Sequence, residues 1–148
     1  MRVVIQRSLE SYVSVDNKVT GSIDKGLVVL VGFTDGDDSN DIDYIVKKVV
    51  GLRIFDDSNG VMNLSVKDIN GKILSISQFT LYADTTKGNR PSYINAMKGE
   101  LAIKLYEEFN SKLRENDIDV QTGIFGADMD VHIRNDGPVT IIIDSKVR

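Results

Sequence analysis

The chain has 148 residues, 41% of them hydrophobic, with a formal net charge of −4, one histidine, no cysteine and no tryptophan. The lack of cysteine excludes disulfides, thiolate nucleophiles and Cys-based zinc or iron–sulfur sites, and fits a reducing compartment. The acidic balance argues against a nonspecific DNA or membrane binder, while leaving room for RNA held by a local basic patch.

The start, Met1-Arg2-Val3-Val4-Ile5-Gln6-Arg7, is apolar for only three residues before polar ones return, which does not read as a secretory leader. No stretch approaches the roughly 20 apolar residues needed to span a bilayer. An intracellular, cytoplasmic protein with no membrane and no DNA partner is the expectation. Val3, Ile5, Val13, Val15, Val19 and Ile23 recur at strand spacing, and Asp16-Asn17-Lys18 suits a hairpin turn. Gly26 opens Leu27-Val28-Val29-Leu30-Val31, a continuous apolar run of the kind covered on both faces.

Asp35-Gly36-Asp37-Asp38 punctuates the chain, and a helix is predicted from about residue 39 to 50. Ile42, Ile45, Val46 and Val49 mark its buried face, acids lie near its start and Lys47 and Lys48 near its end. Leu52-Arg53-Ile54-Phe55 reads as a short strand, Asp57-Ser58-Asn59-Gly60 as a turn, and Ile73–Ser77 as another strand. Residues 82–93 look irregular. A second helix is predicted over 100–116, with Leu101, Leu105, Phe109 and Leu113 in a stripe. Asp130–Arg134 and Val139–Asp144 are the last strands, joined at Gly137-Pro138. The elements show no βαβ regularity. The expected fold class is α/β: one compact layered domain over residues 1–148, with mixed β-sheets forming a barrel-like core and two main helices. A chain this short leaves no room for two full enzyme domains, so a site shared between subunits is worth considering.

Chemistry must come from hydroxyls, an amide and main-chain groups. His132 alternates with Val131 and Ile133 on a strand, where a lone imidazole is more often structural. Asp35, Asp37, Asp38 and Asp41 do not satisfy a calcium-loop spacing and read as a helix start. Asp128 and Asp130 would share a face if extended, but nothing orients them across a cleft. Lys87, Arg90 and Lys98, with Tyr82 and Tyr93, could touch RNA, yet by composition alone an ordinary solvated loop is the better reading. Ser77-Gln78-Phe79-Thr80 can present N–H groups and the Gln78 amide to a developing oxyanion, or simply tie off a strand. Asn135-Asp136-Gly137-Pro138 is turn material in which Gly permits close approach and Pro makes a cis peptide affordable.

These two stretches, together with Val4-Ile5-Gln6-Arg7, Leu52-Arg53-Ile54-Phe55, Met62-Asn63-Leu64-Ser65, Arg90-Pro91-Ser92 and Phe125-Gly126-Ala127-Asp128-Met129, resemble the D-aminoacyl-tRNA deacylases. The likeness runs from Met1 to about Asp144. It implies a homodimer that hydrolyses the ester between a D-amino acid, or glycine on some tRNAs, and the 3′-terminal adenosine of tRNA. By resemblance, Ser77, Gln78, Phe79 and Thr80 line the catalytic site, and Gly137-Pro138 is a cis dipeptide entering the partner subunit's site. Phe125 and Met129 stand near the adenosine or pocket wall, and Arg7 buttresses the dimeric site. No metal and no cofactor are expected. The anticipated mechanism uses main-chain N–H groups near Gln78 and Phe79, with Thr80 as nucleophile ranked second because no base is visible. The departures are the 95–99 segment and His132. An editing hydrolase for L-amino acids, a D-amino-acid esterase or amidase, and a noncatalytic RNA-binding module are the other classes considered.

Overall fold

A computed structural model describes residues 1–148. Strands β1 (Arg2–Ser8), β4 (Gly26–Gly32), β7 (Lys72–Ser77), β8 (Val120–Thr122) and β10 (Asn135–Asp144) form one mixed sheet in the order β10-β1-β4-β7-β8. Strands β2 (Ser11–Val15), β3 (Lys18–Ile23) and β9 (Asp130–His132) form a second sheet, and β5 (Phe55–Asp56) and β6 (Met62–Leu64) a two-stranded ribbon. Helices α1 (Ser39–Gly51) and α2 (Gly99–Arg114) cover the large sheet.

The continuous apolar run of β4 has its cause in three layers. Leu27, Val29 and Val31 face the helices, in a core with Ile42, Ile45, Val49, Phe109 and Leu113. Val28 faces the other way, in a cluster with Val13, Ile23, Leu74 and Ile76, under the second sheet. Both faces of β4 are thus removed from water, as the sequence pattern requires.

The layered α/β core matches the expectation, but its sheets do not close into a barrel: β10 and β8 remain as edges. Some βαβ order is present where none was expected. β4 and β7 are parallel, as are β7 and β8, and α1 and α2 lie on the two crossovers. Helix α1 starts as its acids suggest. Asp38 caps it, accepting from the Asn40 N–H at 2.9 Å, and the Asp41 carboxylate accepts from the Asp38 N–H at 3.0 Å. Asp16 and Asn17 both have positive φ, giving the expected hairpin turn. The predicted strand at 52–55 shrinks to Phe55–Asp56, and the short strands β6 and β8 were not expected.

The two chain ends meet. The Met1 ammonium donates to Asp37 Oδ1 at 2.6 Å and to Ser145 Oγ at 2.9 Å, fully buried. Asp41 also accepts from Ser145 Oγ and Lys146 Nζ. No helix is long and apolar enough to cross a membrane.

Candidate active site

A cavity of about 560 Å³ opens at the C-terminal ends of β4 and β7. Ligands of sheets with parallel strands are commonly received there, where the strands stop and their backbone groups lose their neighbours. Ser77, the last residue of β7, lies beside Val31 and lines the cavity with Gln78 and Phe79. Phe125 and Met129 form another part of its wall. Ala102 near the start of α2 and Val131 of β9 complete the apolar surface.

Beyond Ser77 the chain turns sharply into a 3-10 helix, Phe79–Tyr82. The Gln78 N–H donates to Val31 O at 2.7 Å, so it is already committed. The N–H groups of Phe79 and Thr80 open the turn, where helical geometry supplies no acceptor within it. The Gln78 side-chain amide donates to Thr80 Oγ1. Thr80 itself stands just outside the cavity lining. Arg2 holds the turn from behind: its guanidinium donates to Leu81 O at 2.8 Å, stacks over the Tyr82 ring, and is itself fixed by Asp144 at 2.9 Å. Tyr106 holds β7 from the helix side, donating to Ser75 O at 2.7 Å; burial pushes its phenol up.

The wall contains residues that sequence reasoning did not place there. Tyr93 packs edge-on against Phe79, with ring centroids 5.0 Å apart. Ala96, Met97 and Gly99 also line the cavity, brought in by a bridge between Thr34 and Ala96 and by Met97 N–H donating to Phe33 O. Tyr93 was visible as an aromatic in a polar loop. Met97 carried no local signal, because only the tertiary bridge turns it inward.

His132 is not among the wall residues. It stacks on Tyr12 with centroids 4.3 Å apart, and its Nε2 lies 3.1 Å from Asp130 Oδ2. Asp128 is the only carboxylate on the wall; Asp130 is turned to His132 instead. The two acids therefore do not face each other across a cleft.

Arg7, Gly137 and Pro138 lie elsewhere. Gln6 pairs with Thr140 and Ser8 with Asn135, so Arg7 alone faces the four residues Asp136–Val139. This long bulge falls within β10 rather than in the turn expected between two strands. It is closed by its own side chains: Asn135 accepts from the Val139 N–H at 3.1 Å and donates to Thr140 Oγ1 at 3.1 Å. Arg7 fills the space beneath, donating to Asp136 O at 3.1 Å and Ile54 O at 2.8 Å. The Gly137–Pro138 bond is cis, and both residues are exposed. Arg7 pairs with Leu27 at the start of β4, whereas Ser77 pairs with Val31 at its end. With β10 three places from β7, the bulge and the cavity are separated by roughly 13 Å along the strands and about 14 Å across them. One chain does not bring its two motifs together.

Comparisons with known proteins bear on both motifs. A family model described as D-Tyr-tRNA(Tyr) deacylase matches residues 4–144. A D-aminoacyl-tRNA deacylase of Flavobacterium psychrophilum is 60% identical over 147 residues, covering 99% of this chain and 98% of that protein. A solved structure described as the c-Myc DNA unwinding element binding protein is 38% identical with a TM-score of 0.91, covering 97% of this chain and 98% of the other. A structure of a probable eukaryotic D-amino acid tRNA deacylase, 18% identical with a TM-score of 0.81 over 96% of this chain and 97% of its own, shares the fold. The match spans the strand that delivers Ser77 and the bulge that presents Gly137, and on it the chain belongs to the D-aminoacyl-tRNA deacylase family.

Proposed function

We propose that the cavity receives the aminoacylated 3′-terminal adenosine of tRNA, and that the Gly137–Pro138 bulge of a second copy completes it. The protein is a hydrolase that cleaves the ester of D-aminoacyl-tRNA, releasing the free D-amino acid and tRNA. The observation that carries this reading is a polar strand end, Ser77 and Gln78, set into a mostly apolar cavity of substrate size whose one carboxylate is Asp128.

In the reaction, a water oxygen attacks the ester carbonyl carbon and the carbonyl oxygen takes up the negative charge. The Phe79 N–H is the donor that can stabilise that oxyanion, since the Gln78 N–H is spent on Val31 and Thr80 is not part of the cavity wall. Collapse of the intermediate breaks the bond to the ribose 3′ oxygen, which leaves with the proton given up by the water. The 2′-hydroxyl of the same ribose is placed by covalent geometry to position that water. Thr80 is the weaker candidate nucleophile: its hydroxyl is engaged by the Gln78 amide and no imidazole or carboxylate is bonded to it.

Two features support a homodimer with cross-subunit sites. The exposed bulge lies at the other end of the strands from its own cavity and three strands away, and β10 is a ten-residue edge strand with Ile142 67% exposed, a surface that native proteins usually cover. In the shared site, the partner's Gly137–Pro138 forms a wall against the side chain of an L-amino acid, while a D-side chain points outward. Glycine, with no side chain to reject, is accepted as well, so glycyl-tRNA is a second substrate. The site lies in a tRNA-acting cytoplasmic protein without need of a cofactor.

The test is hydrolysis of matched D-, L- and glycyl-tRNA by purified protein, with and without a chelator. D- and glycyl-tRNA should be cleaved and L-tRNA spared in both conditions. Preferential cleavage of L-tRNA would favour an L-editing hydrolase. Equal cleavage of small D-amino-acid esters would favour a general esterase.

A further inference from the structure

In a chain with a formal net charge of −4, residues 85–98 hold three cations, Lys87, Arg90 and Lys98, and no acid. All three are exposed. The ion pairs of the molecule use Arg2, Arg7, Lys72, Lys112, Lys146, the N-terminus and, when protonated, His132, and none of these three. The nearest acid preceding them, Asp84, is turned onto the loop's own backbone. It accepts from the Thr86 N–H at 2.9 Å, and that bond holds its carboxyl below the usual carboxylate range.

The strip is anchored at the mouth of the cavity. Asp84 and Ser92 exchange two backbone hydrogen bonds of 2.8 Å, closing the loop that carries Lys87 and Arg90. Ser92 directly precedes Tyr93, and Lys98 sits between Met97 and Gly99, so both ends of the strip continue into cavity wall. Thr34 Oγ1 donates to Asn95 O at 2.6 Å and fastens the intervening segment to the end of β4. Phe79 and Tyr93 stand at the same rim, 57% and 41% exposed. Unpaired cations interleaved with exposed aromatics suit a single-stranded nucleic acid, whose phosphates and base faces need both. The guanidinium of Arg90 can take a phosphate in bidentate fashion, and the lysines act as point charges.

We propose that Lys87, Arg90 and Lys98 form a subsite for the phosphodiester backbone of the unpaired nucleotides immediately 5′ of the terminal nucleoside. The RNA leaves the cavity past Tyr93 and Phe79 and runs along this strip. The inference rests on the reading that the cavity takes the aminoacylated end of an RNA.

The test compares wild type with the triple variant Lys87→Gln/Arg90→Gln/Lys98→Gln. Two probes are used: D-aminoacyl-tRNA for turnover, and an uncharged, labelled single-stranded RNA tetranucleotide for binding by fluorescence anisotropy. The tetranucleotide Kd should rise at least ~10-fold in the variant, and its salt dependence should flatten by about 2 in the log–log slope, at about 0.7 per phosphate contact on a single strand. The KM for D-aminoacyl-tRNA should rise by a similar factor with kcat little changed. Unchanged tetranucleotide affinity and salt slope would overturn the strip, even with wild-type turnover intact. So would a variant defect confined to kcat, or one seen with tRNA but not with the tetranucleotide, which would place the strip on the paired stem. Wild-type protein inert toward D-aminoacyl-tRNA that still binds the tetranucleotide through these three residues would instead sink the hydrolase reading and leave the strip standing.

Discussion

Gly137 has φ +132, a conformation that residues with a Cβ rarely adopt. An added Cβ would lie 2.9 Å from both Val139 N and Val139 Cγ2, and 3.1 Å from the Arg7 guanidinium. Gly137→Ala should therefore strain the bulge by about 1–3 kcal/mol and push Arg7 from its two carbonyl acceptors. Chemical denaturation should register the stability loss, and D-aminoacyl-tRNA turnover should fall in parallel. A variant with wild-type stability and activity would show that the bulge yields freely. At Thr80, the hydroxyl is engaged by Gln78 and lacks a base. Thr80→Ala should cost less than the ~10²–10³-fold typical of losing one well-aimed oxyanion donor. A larger loss, together with an aminoacyl adduct on Thr80 trapped in mass spectrometry, would make the side chain the nucleophile.

Among the elements, β4 and β7 depend on close approach at Gly26. Its φ is +150, and a Cβ there would sit only 1.8 Å from Lys72 O, at the point where the two strands begin to pair. Gly26→Ala should cost about 3 kcal/mol or more, read as a lower urea midpoint, because the backbone cannot part without breaking the parallel ladder. Arg2 acts one step from the site. Arg2→Ala removes the donor to Leu81 O and the cation over Tyr82, and turnover should drop more than the melting temperature does. Elements that bury a regular stripe were legible from the sequence: Ile42, Ile45, Val46 and Val49 marked α1, and Leu27–Val31 marked the central strand. The strand Val120–Thr122 was not, because three residues show no alternation; it forms only since Ile73–Ser75 offer an unpaired edge. Local pattern also did not separate the 3-10 turn Phe79–Tyr82 from irregular chain, nor turn Met97 toward the cavity. The family resemblance named Arg7 and Gly137, but only the register slip between Gln6 and Ser8 explains why they belong together.

At the scale of the molecule, the chain termini are locked by a buried charge cluster. Burial opposes ionisation of Asp41, but the hydrogen bonds from Ser145, Lys146 and the Asp38 N–H outweigh it and hold its carboxyl well below the usual carboxylate range. A carboxyl depressed in the folded state contributes stability above its unfolded pKa of about 3.9, and that stability is lost progressively as the pH falls below it. Asp41→Asn should flatten the acid limb of the stability profile while leaving its shape near neutrality. In sedimentation equilibrium, the protein should behave as twice 16.4 kDa. A fully active monomer would end the shared-site reading.

On the proposal that two copies share each site, the bulge and the cavity at opposite ends of one sheet serve different sites, so a defect in either travels with a different half of the assembly. Consider one subunit carrying a disabling change in Ser77–Thr80 and another carrying Gly137→Ala. Each alone forms dimers with no intact site. A mixed dimer regenerates one site, drawing its cavity from the second subunit and its bulge from the first. Co-refolding the two in equal amounts should thus recover about a quarter of wild-type turnover, from half the dimers having one competent site each. Two lesions that meet within a single chain would stay silent in every mixture. Complementation between two inactive preparations is therefore the functional signature of how far apart this fold sets its own two motifs.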